Sequence, residues 1–185
     1  IGALFGITSL INAIIQFGKD AVMAAAKASD SFGGIVKSTG MTTEEVMKLN
    51  SEIQKIDTRT AQDQLLKIAQ VGGQIGVAND EMLGFVKSVD MAVVALGDEF
   101  SGGAEEVSTK LGVLSKVFKE TANLKAGDAI SQIGSAINEL GAAGAATGPN
   151  IADFATRVAQ LGNLAPSISQ TLGLGAALEE LGIKS

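Results

Sequence analysis

The stretch Met82-Leu83-Gly84-Phe85-Val86-Lys87-Ser88-Val89-Asp90-Met91-Ala92-Val93-Val94-Ala95-Leu96-Gly97 decides the fold class. Its apolar residues Met82, Phe85, Val86, Val89, Val93 and Leu96 recur at steps of three and four. That spacing lines one face of a helix, whereas a half-buried strand would alternate at steps of two. Asn79 stands ahead of it as the expected N-cap, and Gly97 closes it.

The same reading extends outward in both directions. Ser101 precedes a helix carrying Val107, Leu111, Leu114 and Phe118. The next runs from about Ala126 to Leu140 with Ile130, Ile133, Ile137 and Leu140 inward. Another starts near Pro149, a residue suited to a first helical turn, and carries Ile151, Phe154, Val158 and Leu161. The last covers about Ser167 to Leu181 and stops at Gly182. Toward the N-terminus, Thr60 with Asp63 opens a helix whose stripe is Ala61, Leu65, Ile68 and Ala69, ending at Gly72-Gly73. Before it, Thr42 stands three residues ahead of Glu45, the capping-box spacing. That box opens a helix over about Thr43 to Ile56 with Val46, Leu49, Ile53 and Ile56 on one face. The fold class expected is all-α: short amphipathic helices, Gly-rich turns, and short links that make hairpins in a small bundle.

Two segments allow a membrane reading. Ile1 to Gly18 carries no charged side chain, and a helix is expected from about Leu4 to Ser31, stopping at Gly33-Gly34. Its length touches that of a membrane span. Thr8, Asn12 and Gln16, however, lie four apart on one face, which favours an amphipathic bundle helix. The chain is therefore divided into a leading helix, 1–34, and a multi-helix module, 35–185. The tract Leu140-Gly-Ala-Ala-Gly-Ala-Ala-Thr-Gly148 could be a fusion-like segment or a close helix contact. With Pro149 directly after it, a flexible link is the favoured reading. The first residue is Ile, so the chain reads as a piece of a longer or processed protein.

Composition narrows the chemistry. The chain has 46% hydrophobic and 18% charged residues, enough apolar content for a packed interior and too much for a disordered chain. It has no Cys, His, Trp or Tyr. Zinc catalysis and a Ser-His-Asp hydrolase are thereby excluded for this chain alone. The net charge of −6, with Arg59 and Arg157 the only arginines, offers no basic stripe for phosphates, so sequence-specific nucleic-acid binding is not expected. The glycine pairs Gly72-Gly73 and Gly102-Gly103 lack the Lys and Ser or Thr of a phosphate loop. No calcium-loop pattern is present. The acidic pairs Glu44-Glu45, Asp80-Glu81, Asp98-Glu99 and Glu105-Glu106 fall at or before expected helix starts. There they complement the helix dipole and cap amides; Glu179-Glu180, near a helix end, reads as solvated surface. No catalytic, cofactor-binding or metal-binding residue is expected, and the chain reads as non-enzymatic. The inward side chains include many Ala and Gly, so a module weakly stable alone and reinforced by self-association is expected.

The order of segments resembles the central region of phage tail tape-measure proteins. Three stretches carry the likeness. The first is Leu65-Leu66-Lys67-Ile68-Ala69-Gln70-Val71-Gly72, followed by Val77-Ala78-Asn79-Asp80-Glu81-Met82-Leu83. The second is Met91-Ala92-Val93-Val94-Ala95-Leu96-Gly97, then Gly103-Ala104-Glu105-Glu106-Val107. The third is Ile133 to Leu140, then Ile151-Ala152-Asp153-Phe154-Ala155-Thr156-Arg157-Val158, leading into Ile168 to Leu178 and Leu181-Gly182-Ile183. The resemblance spans about Val36 to Lys184. Tape-measure proteins also contain a long coiled-coil-like ruler, and this chain has no sustained heptad run.

The resemblance implies a structural protein of a phage or phage-like tail that sets tail length during assembly and needs no cofactor. It implies partners among the tail tube and the tail tip or baseplate hub proteins, and self-association as a trimer or larger ring. It implies a place inside the tail tube or tail tip of the virion, then release ahead of genome ejection and contact with the host envelope. Low stability would ease threading through the tube. The alternative is a secreted helical membrane-active or effector protein of a bacterial secretion system.

Overall fold

The structure, a computed structural model, describes residues 31–144 and 146–183. All regular structure among them is helical. Helix α1 spans 31–39 and α2 Thr43–Ile53; α3 is Gln62–Gln74, α4 Met82–Leu96 and α5 Gly103–Val117. A single turn, α6 (Lys119–Ala122), precedes α7 (Ala126–Ala143), α8 (Gly148–Ala159) and α9 (Ile168–Glu180). Short 3-10 turns at Gly97–Glu99 and Gly162–Leu164 follow α4 and α8. Nearly all of the expected leading helix, with Thr8, Asn12 and Gln16, lies outside the described residues.

Helix starts follow the sequence where a local cap exists. Thr42 Oγ1 accepts from the Glu45 amide at 3.3 Å and Glu45 Oε2 accepts from the Thr42 amide at 2.8 Å, completing the expected box. Ser167 and Gln170 form a second box ahead of α9. Two expected caps are not made. Asn79 sits in a turn before α4, whose N-cap position is Glu81 with no side-chain cap bond. Thr60 does not open α3 either; its amide donates to Thr58 Oγ1 at 3.1 Å, and the exposed Ala61 takes the N-cap position.

The glycines expected to stop two of the helices lie inside them, and Gly34, Gly72 and Gly73 sit at helix crossings. Gly33 and Gly34 lie inside α1. A Cβ on Gly34 would come within 2.6 Å of Gln70 Oε1 on α3. The helix ends instead at Gly40, whose φ of 71° favours glycine and whose amide bonds Val36 O at 3.0 Å. The division between residues 34 and 35 thus falls within one helix, and Ile35, 0% exposed, joins the core. Gly72 and Gly73 are likewise inside α3, which ends two residues before Gly76 (φ 75°). A Cβ on Gly72 would meet Met82 Sδ at 2.7 Å and the Phe85 ring at 3.0 Å; one on Gly73 would meet Ser38 Oγ at 2.5 Å. Small residues there let α1 and α4 seat directly on the α3 backbone.

Other boundaries shift by a turn. The second expected helix stops at Ile53, and Ile56 packs on the core from the following turn. The Gly/Ala tract read as a flexible link is helical through Ala143, because alanine favours helix, and Ala146 beyond it is buried. In α8 the inward face is Ile151, Ala152 and Ala155, with Phe154 and Val158 half-buried; Leu161 lies past the helix end and is 57% exposed.

One continuous cluster of buried side chains runs from Ile35 to Ala176. The face expected on α4 is its backbone: Met82, Phe85, Val86 and Val89 are all 0% exposed. Val107, Leu111 and Leu114 of α5 and Ile130, Ile133 and Ile137 of α7 complete the centre. Helix α4 packs most extensively on α7, a partner distant in sequence, so the fold is more than a row of hairpins. The hairpin α8–α9 covers α5 and α7, and α3 seats on α4 and α5. The core also takes in Met41, Leu66, Val71, Val77 and Phe100, making it larger than the sequence stripes alone supply.

Candidate functional site

The most distinctive polar feature of α4 is Asp90, only 4% exposed among apolar neighbours. It is held by the loop before α3. Thr58 Oγ1 donates to Asp90 Oδ1 at 2.9 Å and accepts from the Thr60 amide at 3.1 Å. Both functions of that hydroxyl are therefore engaged in clamping the loop to α4. A groove of about 440 Å³ opens beside this clamp, lined by Asp57, Thr58, Arg59, Asp90, Met91 and Val94. A smaller groove of about 130 Å³ lies on the other flank of Met91, between α4 and α7, with Ser88, Ala95, Ser131 and Asn138 on its walls. Met91 is thus a ridge between two shallow depressions, and it and Val94 are 59% and 41% exposed. A mixed wall of this kind suits recognition of another surface.

The acidic pairs cap amides as expected, but two of them reach helices far away in sequence. Glu45 and Glu106 serve their own helix starts. Glu106 Oε2 accepts from the Gly102 amide at 2.8 Å. The backbone bond to Thr42, aided by the Thr42 hydroxyl, holds the Glu45 carboxyl below the usual range. The Gly102 amide and then Lys110 do the same for Glu106. Glu81, by contrast, accepts from the Ala126 amide at 3.0 Å and so caps α7. Glu99 accepts from the Gly148 amide at 2.6 Å and caps α8. Each reaches a helix more than forty residues on, so the caps double as tertiary ties between α4 and the C-terminal helices. Glu179, expected at the solvated surface, is half-buried and accepts from Asn150 Nδ2 at 2.9 Å.

A third tie joins α5 to α8. Lys110 Nζ lies 2.9 Å from Glu106 and 2.6 Å from Asp153, and 5.7 Å from the centroid of the Phe100 ring. Burial alone would lower the Lys110 pKa, but the bonds to Asp153 and Glu106 outweigh it and raise it above the ordinary lysine value. The ammonium stays charged through neutral pH, so this tie persists under ordinary conditions.

The chain matches no family model, no curated protein and no solved structure. The residues themselves therefore carry the reading. Among the described residues no group of three or more His, Cys, Asp or Glu could hold a metal ion. No described helix is long and apolar enough to cross a membrane. Glu81, Asp90, Glu99, Asp153 and Glu179 are engaged by backbone amides, a threonine, a lysine and an asparagine on other elements, so these carboxylates tie the fold together. Sequence reasoning missed the Thr58–Asp90 clamp. Its signal was available: Asp90 adjoins Val89 and lies one helical turn from Val86 and Val93, close to the inward register.

Proposed function

We propose that this chain is part of the tape-measure protein of a phage or phage-like tail: a non-enzymatic structural protein that sets tail length during assembly. It acts within the tail tube, binds the tail tip or baseplate hub, associates with its own copies, and leaves ahead of the genome toward the host envelope. The observation that carries this reading is the order of the three tape-measure-like stretches. Each coincides with a helix–turn–helix passage of one packed body. The first spans the end of α3, the Gly76 turn and the start of α4. The second spans the end of α4, the 3-10 turn and the start of α5. The third spans α7, α8 and α9. An acidic chain also suits a conduit that later carries nucleic acid, because its net charge of −6 gives phosphate no purchase.

A length-setting role makes a direct prediction. Removing residues 126–183 in frame from the tape-measure gene that encodes them should yield particles with measurably shorter tails by electron microscopy. Tails of unchanged length, from a shortened chain that is still incorporated, would refute the role.

A further inference from the structure

Among the described residues, helix α4 is covered on most sides by α3, α5 and α7, yet one stripe of it stays open. Gly84, Lys87, Met91 and Val94 are exposed, and Asp98 continues the stripe in the following 3-10 turn. Their spacing runs three, four, three, four, the spacing of a seam where two helices meet side by side. The stripe has a cationic end at Lys87, an apolar middle at Met91 and Val94, and an anionic end at Asp98. Among the described residues neither Lys87 nor Asp98 makes an ion pair within the chain.

This arrangement is self-complementary. When a second copy of α4 is laid antiparallel across a twofold axis between Met91 and Val94, each Met91 faces the other copy's Val94. In the same register each Lys87 faces the other copy's Asp98. A parallel pairing would instead oppose Lys87 to Lys87 and Asp98 to Asp98, which like-charge repulsion disfavours. The groove beside Val94 gives the incoming Met91 a place to enter, and methionine's flexible thioether suits an irregular depression. The open side of Gly84, where a Cβ would touch nothing within 4 Å, leaves room for close approach at the cationic end.

We infer that the outer face of α4 is a homodimer contact, in which two copies of this chain pair antiparallel through Lys87, Met91, Val94 and Asp98. Such a contact is isologous and closes at two copies, unlike the ring the family resemblance implies. It does not rest on the tail-protein reading, and either can fail without the other.

Sedimentation equilibrium of the 185-residue chain tests it. The wild type should populate a dimer with rising concentration. Lys87→Asp places like charges at both ends of the seam and should raise the dimer dissociation constant about tenfold. The swap Lys87→Asp with Asp98→Lys restores opposite charges and should bring the constant back to the wild-type value, which also shows that the exposed substitutions leave the fold intact. A wild type that stays monomeric overturns the inference. So does an assembly whose constant Lys87→Asp leaves unchanged, and a loss that the swap fails to restore overturns the antiparallel register.

Discussion

Replacing Phe85 by alanine is expected to remove about 3–5 kcal/mol of folding stability. The ring is 0% exposed and lies where α3, α4 and α5 meet. A Cβ built on Gly72 of α3 would stand 3.0 Å from its edge, and one on Gly112 of α5 would stand 3.9 Å from its Cζ. The ring therefore rests against two glycine positions, one on each neighbouring helix, and its own bulk fills the space that a side chain there would take. Truncation leaves that space empty except for what the neighbouring Met82 and Ile75 side chains can reach, so a large part of the cavity penalty remains. Against a typical domain stability of about 5–15 kcal/mol, the loss should leave the protein close to unfolding near body temperature. Urea titration followed by circular dichroism should show a lower midpoint with an unchanged slope. A loss below about 1 kcal/mol would mean that the three-helix junction is not packed as described.

The second large effect is expected at Gly127, in the first turn of α7. A Cβ there would lie 2.9 Å from the carbonyl oxygen of Gly84 and 3.1 Å from Ser88 Oγ on α4. The nearest obstacle is backbone, which cannot turn aside as a long side chain can. Gly127→Leu should force α7 from α4 and cost about 3 kcal/mol, even though leucine is the better helix former. Gly173 in α9 gives the contrast, since a Cβ there meets nothing within 4 Å. Gly173→Ala should stabilise by about 0.5–1 kcal/mol through helix propensity alone. Thermal melts of the two variants should move in opposite directions. If Gly127→Leu leaves the melting temperature unchanged or raises it, the glycine at the α4–α7 crossing is not a packing requirement.

What could be read from the sequence was what is encoded locally. The steps of three and four in Met82 to Leu96 place Met82, Phe85, Val86, Val89 and Leu96 in the core, with Val93 half-buried, and Thr42 with Glu45 makes its expected box. Gly182 follows the last helix where a stop was expected. The misread glycine pairs and carboxylates share one physical origin, which is dependence on a partner distant in sequence. Gly33-Gly34 and Gly72-Gly73 look like stops because glycine weakens a helix, but their use is set by which helix crosses them. Glu81 and Glu99 were recognisable as cap residues, yet nothing in the sequence named α7 and α8 as the helices they cap. Asp90 is tolerated in the interior because Thr58, thirty-two residues earlier, supplies its hydrogen bond. Leu161 continued the apolar spacing of α8, but the helix ends at Ala159 and the side chain faces solvent. The groove beside Asp90 was illegible for the same reason, since its walls come from two segments that meet only in the fold.

The tape-measure reading is tested most directly by mass spectrometry of purified particles before and after triggered genome ejection. Peptides from residues 31–183 should be found in intact particles, should belong to a chain much longer than 185 residues, and should be depleted once the genome has left. Their absence from particles, with recovery of the chain free in culture fluid or in membranes, would contradict the reading and leave the secreted membrane-active protein in its place.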